Sequence, residues 1–124
     1  MKHFMKLYRR IKMNIEIKKY NESDYAYRDI KENPIILDFS MCKYYMDIYK
    51  LLKEKFGLPM ACGANWSAIW DMLRDRFNSK EYFEVHIYGY YTMPDEWQEE
   101  CIKMLEIFDD VHKETPNVVF KLIN

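Results

Sequence analysis

Residues 57–75 read GLPMACGANWSAIWDMLRD, and the architecture of the body can be worked out from them. Gly57 is the residue type that closes a helix in the left-handed conformation, and Pro59 stands where a helix cannot continue. Gly63 centres a loop, Asn65 carries a side-chain oxygen able to cap a helix, and Trp66, Ile69, Trp70 and Leu73 recur at the spacing of one helical face. This helix is expected to run to about Phe77, with Ser67, Asp71 and Asp75 on its opposite face. A loop stiffened by Pro59 and feeding a capped helix holds the Ser67/Asp71 stripe in one geometry, which makes a preorganised anionic docking ledge. Such a ledge suits a basic cleft, because carboxylates accepting from Arg or His in a desolvated centre dominate interfaces.

Working upstream, Tyr45, Ile48, Tyr49, Leu52 and Phe56 mark a helix that Gly57 ends, with Ser40 as its candidate N-cap. Ile35 to Phe39 (IILDF) reads as a short apolar strand. Downstream, Phe83 to Tyr88 (FEVHIY) is a strand ended by Gly89, and Pro94 opens a third helix. The first turns of that helix carry Asp95, Glu96, Glu99 and Glu100, charges that complement its positive end. Trp97, Cys101, Met104, Leu105, Phe108 and Val111 form its buried stripe, and Pro116-Asn117 turns into a last strand, Val118 to Ile123. The body therefore reads strand, helix, helix, strand, helix, strand, an α/β order that favours a parallel sheet with right-handed crossovers. Ahead of Pro34, Asn14 to Tyr20 alternates like a half-exposed strand, and residues 21–33 read as a loop. Residues 1–33 are read as a basic N-terminal extension, and 34–124 as one domain.

Composition agrees with a single folded domain. The 124 residues are 49% hydrophobic and 17% aromatic, with only 3 Gly and 4 Pro, which excludes intrinsic disorder for most of the chain. No window approaches the roughly 18 apolar residues of a spanning helix, and no secretory h-region follows the first lysines, so a cytoplasmic protein without membrane contact is expected. The net charge of −1 conceals an asymmetry: residues 1–33 hold 9 Lys and Arg against 5 Asp and Glu, while the remainder holds 10 against 15. An acidic body suits basic partners and repels nucleic acid.

Chemistry of other kinds finds no support. Cys42, Cys62 and Cys101 are odd in number and form no CxxC, so they read as small buried apolar residues rather than disulfides or metal ligands. His3, His86 and His112 lack paired ligand spacing, and the three glycines form no phosphate loop. Asp71, Asp75, Asp109, Asp110 and His112 could hold a hard cation, but scattered helix-surface carboxylates are the commoner meaning. No enzyme activity, metal or cofactor is expected.

At LP…GANWSAIWDML the chain resembles the barstar family, intracellular inhibitors of barnase-type ribonucleases whose usual form is LP..YG.NLDALWD.L. The resemblance runs without a gap from Ile35 through Phe77 and again from about Ile107 to the C-terminus. It implies a small three-stranded parallel sheet packed with three to four helices, and a protein that plugs a secreted or toxin ribonuclease with the LP loop and second helix. On that resemblance Asp71 is the central carboxylate, placed where an RNA phosphate would bind, and Asp110 is a supporting acid on the third helix. Gly63, Asn65, Trp66 and Trp70 shape the surface, although the tryptophans fit a core stripe equally well. Ser67 stands where a second acid is common, Ala61 and Cys62 replace a tyrosine pair, and Arg74 adds a positive charge near Asp75.

These departures keep a second reading open, that of a barstar-fold interaction module without nuclease inhibition. Direct nucleic-acid binding through residues 1–13, which hold five basic residues and no acid, is a distant third. A monomer is favoured.

Overall fold

The computed structural model describes residues 22–78 and 80–123; the strand expected over Asn14 to Tyr20 and the basic stretch 1–13 lie outside them. Six principal elements follow in the expected order: β1 (Ile35–Asp38), α1 (Met46–Lys55), α2 (Trp66–Arg76), β2 (Phe83–Tyr88), α3 (Asp95–Glu114) and β3 (Val118–Leu122). Single 3-10 turns occupy Glu22–Tyr25, Phe39–Met41 and Tyr90–Thr92. The three strands form one parallel sheet in the order β1-β2-β3, with Ile35 opposite Val85 and Val85 opposite Phe120. Spatial order equals chain order, so each crossover joins neighbouring strands: α1 and α2 carry the first, α3 the second.

Strand alternation decides which sheet face is covered. Phe83, Val85 and Ile87 are buried, whereas the intervening Glu84, His86 and Tyr88 are half-buried, so the helices cover one face. The other face carries a polar cluster centred on Glu84, which accepts from Lys121 Nζ at 2.7 Å and pairs with His86 Nε2 at 2.9 Å. Beneath the helices, phenylalanine rings link all the layers. Phe56 meets Phe77 at 5.6 Å between ring centroids, Phe77 meets Phe83 at 5.4 Å, and Phe108 stacks on Phe120 at 4.6 Å. Of these rings Phe56, Phe77 and Phe108 are fully buried, each stabilising by roughly 1.5–3 kcal/mol relative to exposure, while Phe120 is half-buried at the edge. No polar or charged side chain is fully buried among the described residues.

Ser40 does not cap α1. Asp38 Oδ1 accepts from both the Ser40 backbone N–H (3.0 Å) and its hydroxyl (2.6 Å), turning the chain into the 3-10 segment, so the serine acts as a donor. The first helix begins later, at Met46, where Asp47 Oδ2 accepts from the Lys43 and Tyr44 backbone N–H groups, each at 3.0 Å. At its other end Gly57 adopts φ +63°, and a Cβ there would run into the Arg28 carbonyl oxygen, so two independent reasons require glycine. The apposed segment, residues 24–33, is packed against the body through Tyr27 and Ile30.

Candidate partner-binding surface

The second helix starts where its sequence says it should. Asn65 is extended, and its Oδ1 accepts from the Ala68 N–H at 2.8 Å, satisfying one of the free donors of the first turn. Gly63 makes room for that cap: a Cβ at this position would come 2.9 Å from Asn65 Nδ2. Ile69 and Leu73 are fully buried, which turns Ser67, Asp71, Arg74 and Asp75 outward. Trp66 and Trp70 lie between these extremes as half-buried side chains against the core edge, with the Trp66 ring 4.8 Å from that of Tyr49. They serve packing and surface together.

Two shallow depressions line the seam between α2 and α3. One, of about 240 Å³, is bordered by Trp66, Ser67, Trp70 and Asp110 together with Lys103 and Glu106. The second is bordered by Asp71, Arg74 and Asp75 with Glu114. The Asp71 carboxylate is exposed and makes no hydrogen bond or ion pair within the described residues. It is free to accept from an incoming donor. Asp75 is engaged in part by the Tyr27 hydroxyl at 3.4 Å. Burial first, and the charge of Asp75 second, push that phenol up to about 12. Glu114, which spacing alone did not single out, joins the surface through an ion pair to Arg74.

The loop ahead of α2 presents Met60, Ala61 and Gly63, but not Cys62. That side chain is only 5% exposed, and burial pushes its thiol up, so Cys62 is packed in the core, in keeping with its reading as a small buried apolar residue. Its neighbour Ala61 is half-buried, and Gly63 is exposed.

The remaining chemistry-bearing residues do not converge. His112 Nδ1 lies 2.7 Å from the Val118 carbonyl oxygen, and Asp109 pairs with Lys113. Among the described residues no group of three or more His, Cys, Asp or Glu side chains is placed to hold a metal ion. No helix among them is long and apolar enough to cross a membrane.

A three-stranded parallel sheet with helices on one face, and an acid-bearing capped helix at its flank, define a small α/β domain with an exposed acidic helical surface. A family model described as barstar (barnase inhibitor) matches residues 33–123. The chain belongs to the barstar family, whose members are inhibitors rather than enzymes. No curated protein and no solved structure matches it.

Proposed function

We propose that this protein inhibits a small basic, barnase-type ribonuclease or a toxin nuclease of similar electrostatics, blocking its active site with residues 58–63 and α2. The observation that carries the reading is Asp71: an exposed carboxylate with no partner among the described residues, on a helix rigidly capped by Asn65, in a chain of the barstar family. A carboxylate held ready in this way costs little ordering on binding, and in a desolvated interface it accepts strong charge-assisted bonds from Arg or His. Asp110 adds a second exposed carboxylate from the neighbouring depression on α3, Trp66 and Trp70 give the surface its apolar floor, and Ser67, Ala61, Arg74 and Asp75 set which nuclease fits. The action is steric and electrostatic, without catalysis or cofactor. It belongs inside the producing cell, the protein acting as a monomer that protects against its nuclease and touches neither nucleic acid nor membrane.

The test is titration of the purified full chain into a barnase-type ribonuclease while RNA cleavage is followed at 50 mM and 500 mM salt. Stoichiometric inhibition with association slowed at the higher salt is expected, since charge steering is screened. A second reading, an interaction module without inhibitory activity, is favoured by the Arg74–Glu114 pair, which neutralises part of the acidic face. Under that reading the ribonuclease stays fully active at every ratio.

A further inference from the structure

Residues 24–32 precede the stretch that the family model matches, yet they make the closest polar contacts to the loop ahead of α2. The Ala61 N–H donates to the Asp24 carbonyl at 2.8 Å, and the Arg28 N–H donates to the Gly57 carbonyl at 2.8 Å. The Arg28 side chain adds a fork: Nη2 donates to the carbonyls of Lys53 (3.0 Å) and Leu58 (3.1 Å). From the α1 side, Lys53 Nζ donates to the carbonyls of Met60 (3.1 Å) and Cys62 (3.0 Å). Alternate carbonyls of the loop, at 58, 60 and 62, are thus each held by a cation. The intervening Pro59 carbonyl is used internally, accepting from the Cys62 N–H at 2.9 Å.

These two cations are placed unusually. Neither Arg28 nor Lys53 forms an ion pair with a carboxylate among the described residues; both direct their donors at backbone oxygens. A cation near the end of a helix would be stabilised by the helix dipole alone. The dipole does not require Lys53 to reach past the helix to residues 60 and 62. Charge-assisted donors make stronger bonds than neutral ones, so these contacts fix the loop more firmly than a turn of its own would. The same strap continues to α2, where the Tyr27 hydroxyl shares its proton between the Met72 carbonyl (3.2 Å) and Asp75 Oδ2 (3.4 Å). It then returns to α1 through Glu32 and Lys55, 2.9 Å apart.

We propose that residues 24–32 are a strap that sets the conformation of residues 58–63, with Arg28 and Lys53 as positioning residues for the partner-binding surface. Its effect on binding rests on the inhibitor reading; its effect on the loop does not. Preorganisation is the physical gain, because a loop already fixed in its bound shape gives up less freedom on association.

The experiment is amide hydrogen exchange on the free full chain, comparing the parent with Arg28→Met, Lys53→Met and the double variant. The amides of Ala61 and Cys62 are read against those of β2. The expected result is exchange about tenfold faster at Ala61 and Cys62 in the double variant, with β2 unchanged, as for local rather than global opening. Lys53→Arg, which retains a cationic donor, restores the protection. Unchanged exchange at both loop amides overturns the proposal, and so does a loss shared equally by β2, which marks global destabilisation. Should the double variant fail to fold, the single variants Arg28→Met and Lys53→Met decide by the same ratio. In parallel, a barnase-type ribonuclease is expected to bind the double variant about tenfold more weakly than the parent. A parent that binds no such enzyme sinks the inhibitor reading, while the exchange ratio still decides the strap.

Discussion

Arg74 Nε donates to Glu114 Oε2 at 3.0 Å, joining the last turn of α2 to the last turn of α3 across the acidic face. The same guanidinium lies 5.2 Å from the centre of the Trp70 ring. The cation is therefore folded along the seam, where it neutralises Glu114 and leaves Asp71 and Asp110 to face outward. Both partners are about half exposed, so the pair itself contributes only about 0.2–1 kcal/mol to stability. Its larger effect is on the field a partner meets.

Removing that cation should speed encounter with a basic enzyme. Arg74→Ala is expected to raise the association rate with a barnase-type ribonuclease several-fold at low salt, the gain shrinking as salt rises. Stopped-flow association at two ionic strengths measures it, and equal rates for variant and parent would show that Arg74 lies outside the contact.

Asp71→Ala tests the centre of the surface. Because the carboxylate is exposed and has no bond to lose within the described residues, the melting temperature should stay nearly constant. Affinity should fall by at least about 2 kcal/mol, the general threshold for an interface hot spot. Calorimetric titration beside a thermal melt separates the two quantities, and undiminished affinity would remove Asp71 from its assigned role.

The loop and the cap should fail together. Gly63→Ala drives a methyl group to within 2.9 Å of Asn65 Nδ2, and Asn65→Ala removes the oxygen that holds the Ala68 N–H. Each is expected to cost about 1 kcal/mol, typical of a lost N-cap, and the double variant to cost less than the sum because both act on one contact. Urea midpoints give the three values; strict additivity would mean that Gly63 acts elsewhere.

Acid stability should depend on Glu84. The hydrogen bond from His86, followed by those from Lys121 and Tyr82, lowers this carboxyl from the ordinary 4.5 to about 2. A folded value below the unfolded one stabilises the native state above pH 4.5, and that contribution is lost as pH falls toward 2. Urea midpoints taken from pH 5 down to pH 2 should decline less steeply in Glu84→Gln than in the parent. Parallel curves would show that the cluster adds nothing to folding.

The order of elements was legible because its signals are local. Helical spacing in Tyr45 to Phe56 and Trp66 to Phe77, two-residue alternation in Phe83 to Tyr88, and prolines and glycines at the boundaries each act within one turn or one strand. The Asn65 cap was legible for the same reason, as its bond spans three residues. Ser40 misled because Asp38, two positions away, competes for the same short-range geometry and supplies the stronger acceptor.

What spacing could not reach are contacts between distant parts of the chain. Arg74 meets Glu114 across 40 positions, Arg28 meets Leu58 across 30, and Tyr27 meets Met72 across 45. Ala61 donates its N–H to the Asp24 carbonyl across 37 positions and is half-buried beside the inward-turned Cys62, an arrangement that only the packed loop determines. The sequence alone determined the α/β order, the capped acidic helix and the family resemblance, since periodicity and capping are written in near neighbours. Tertiary structure decided which charges stay free and what braces the loop, because those depend on which distant side chains the packed core brings within hydrogen-bonding distance.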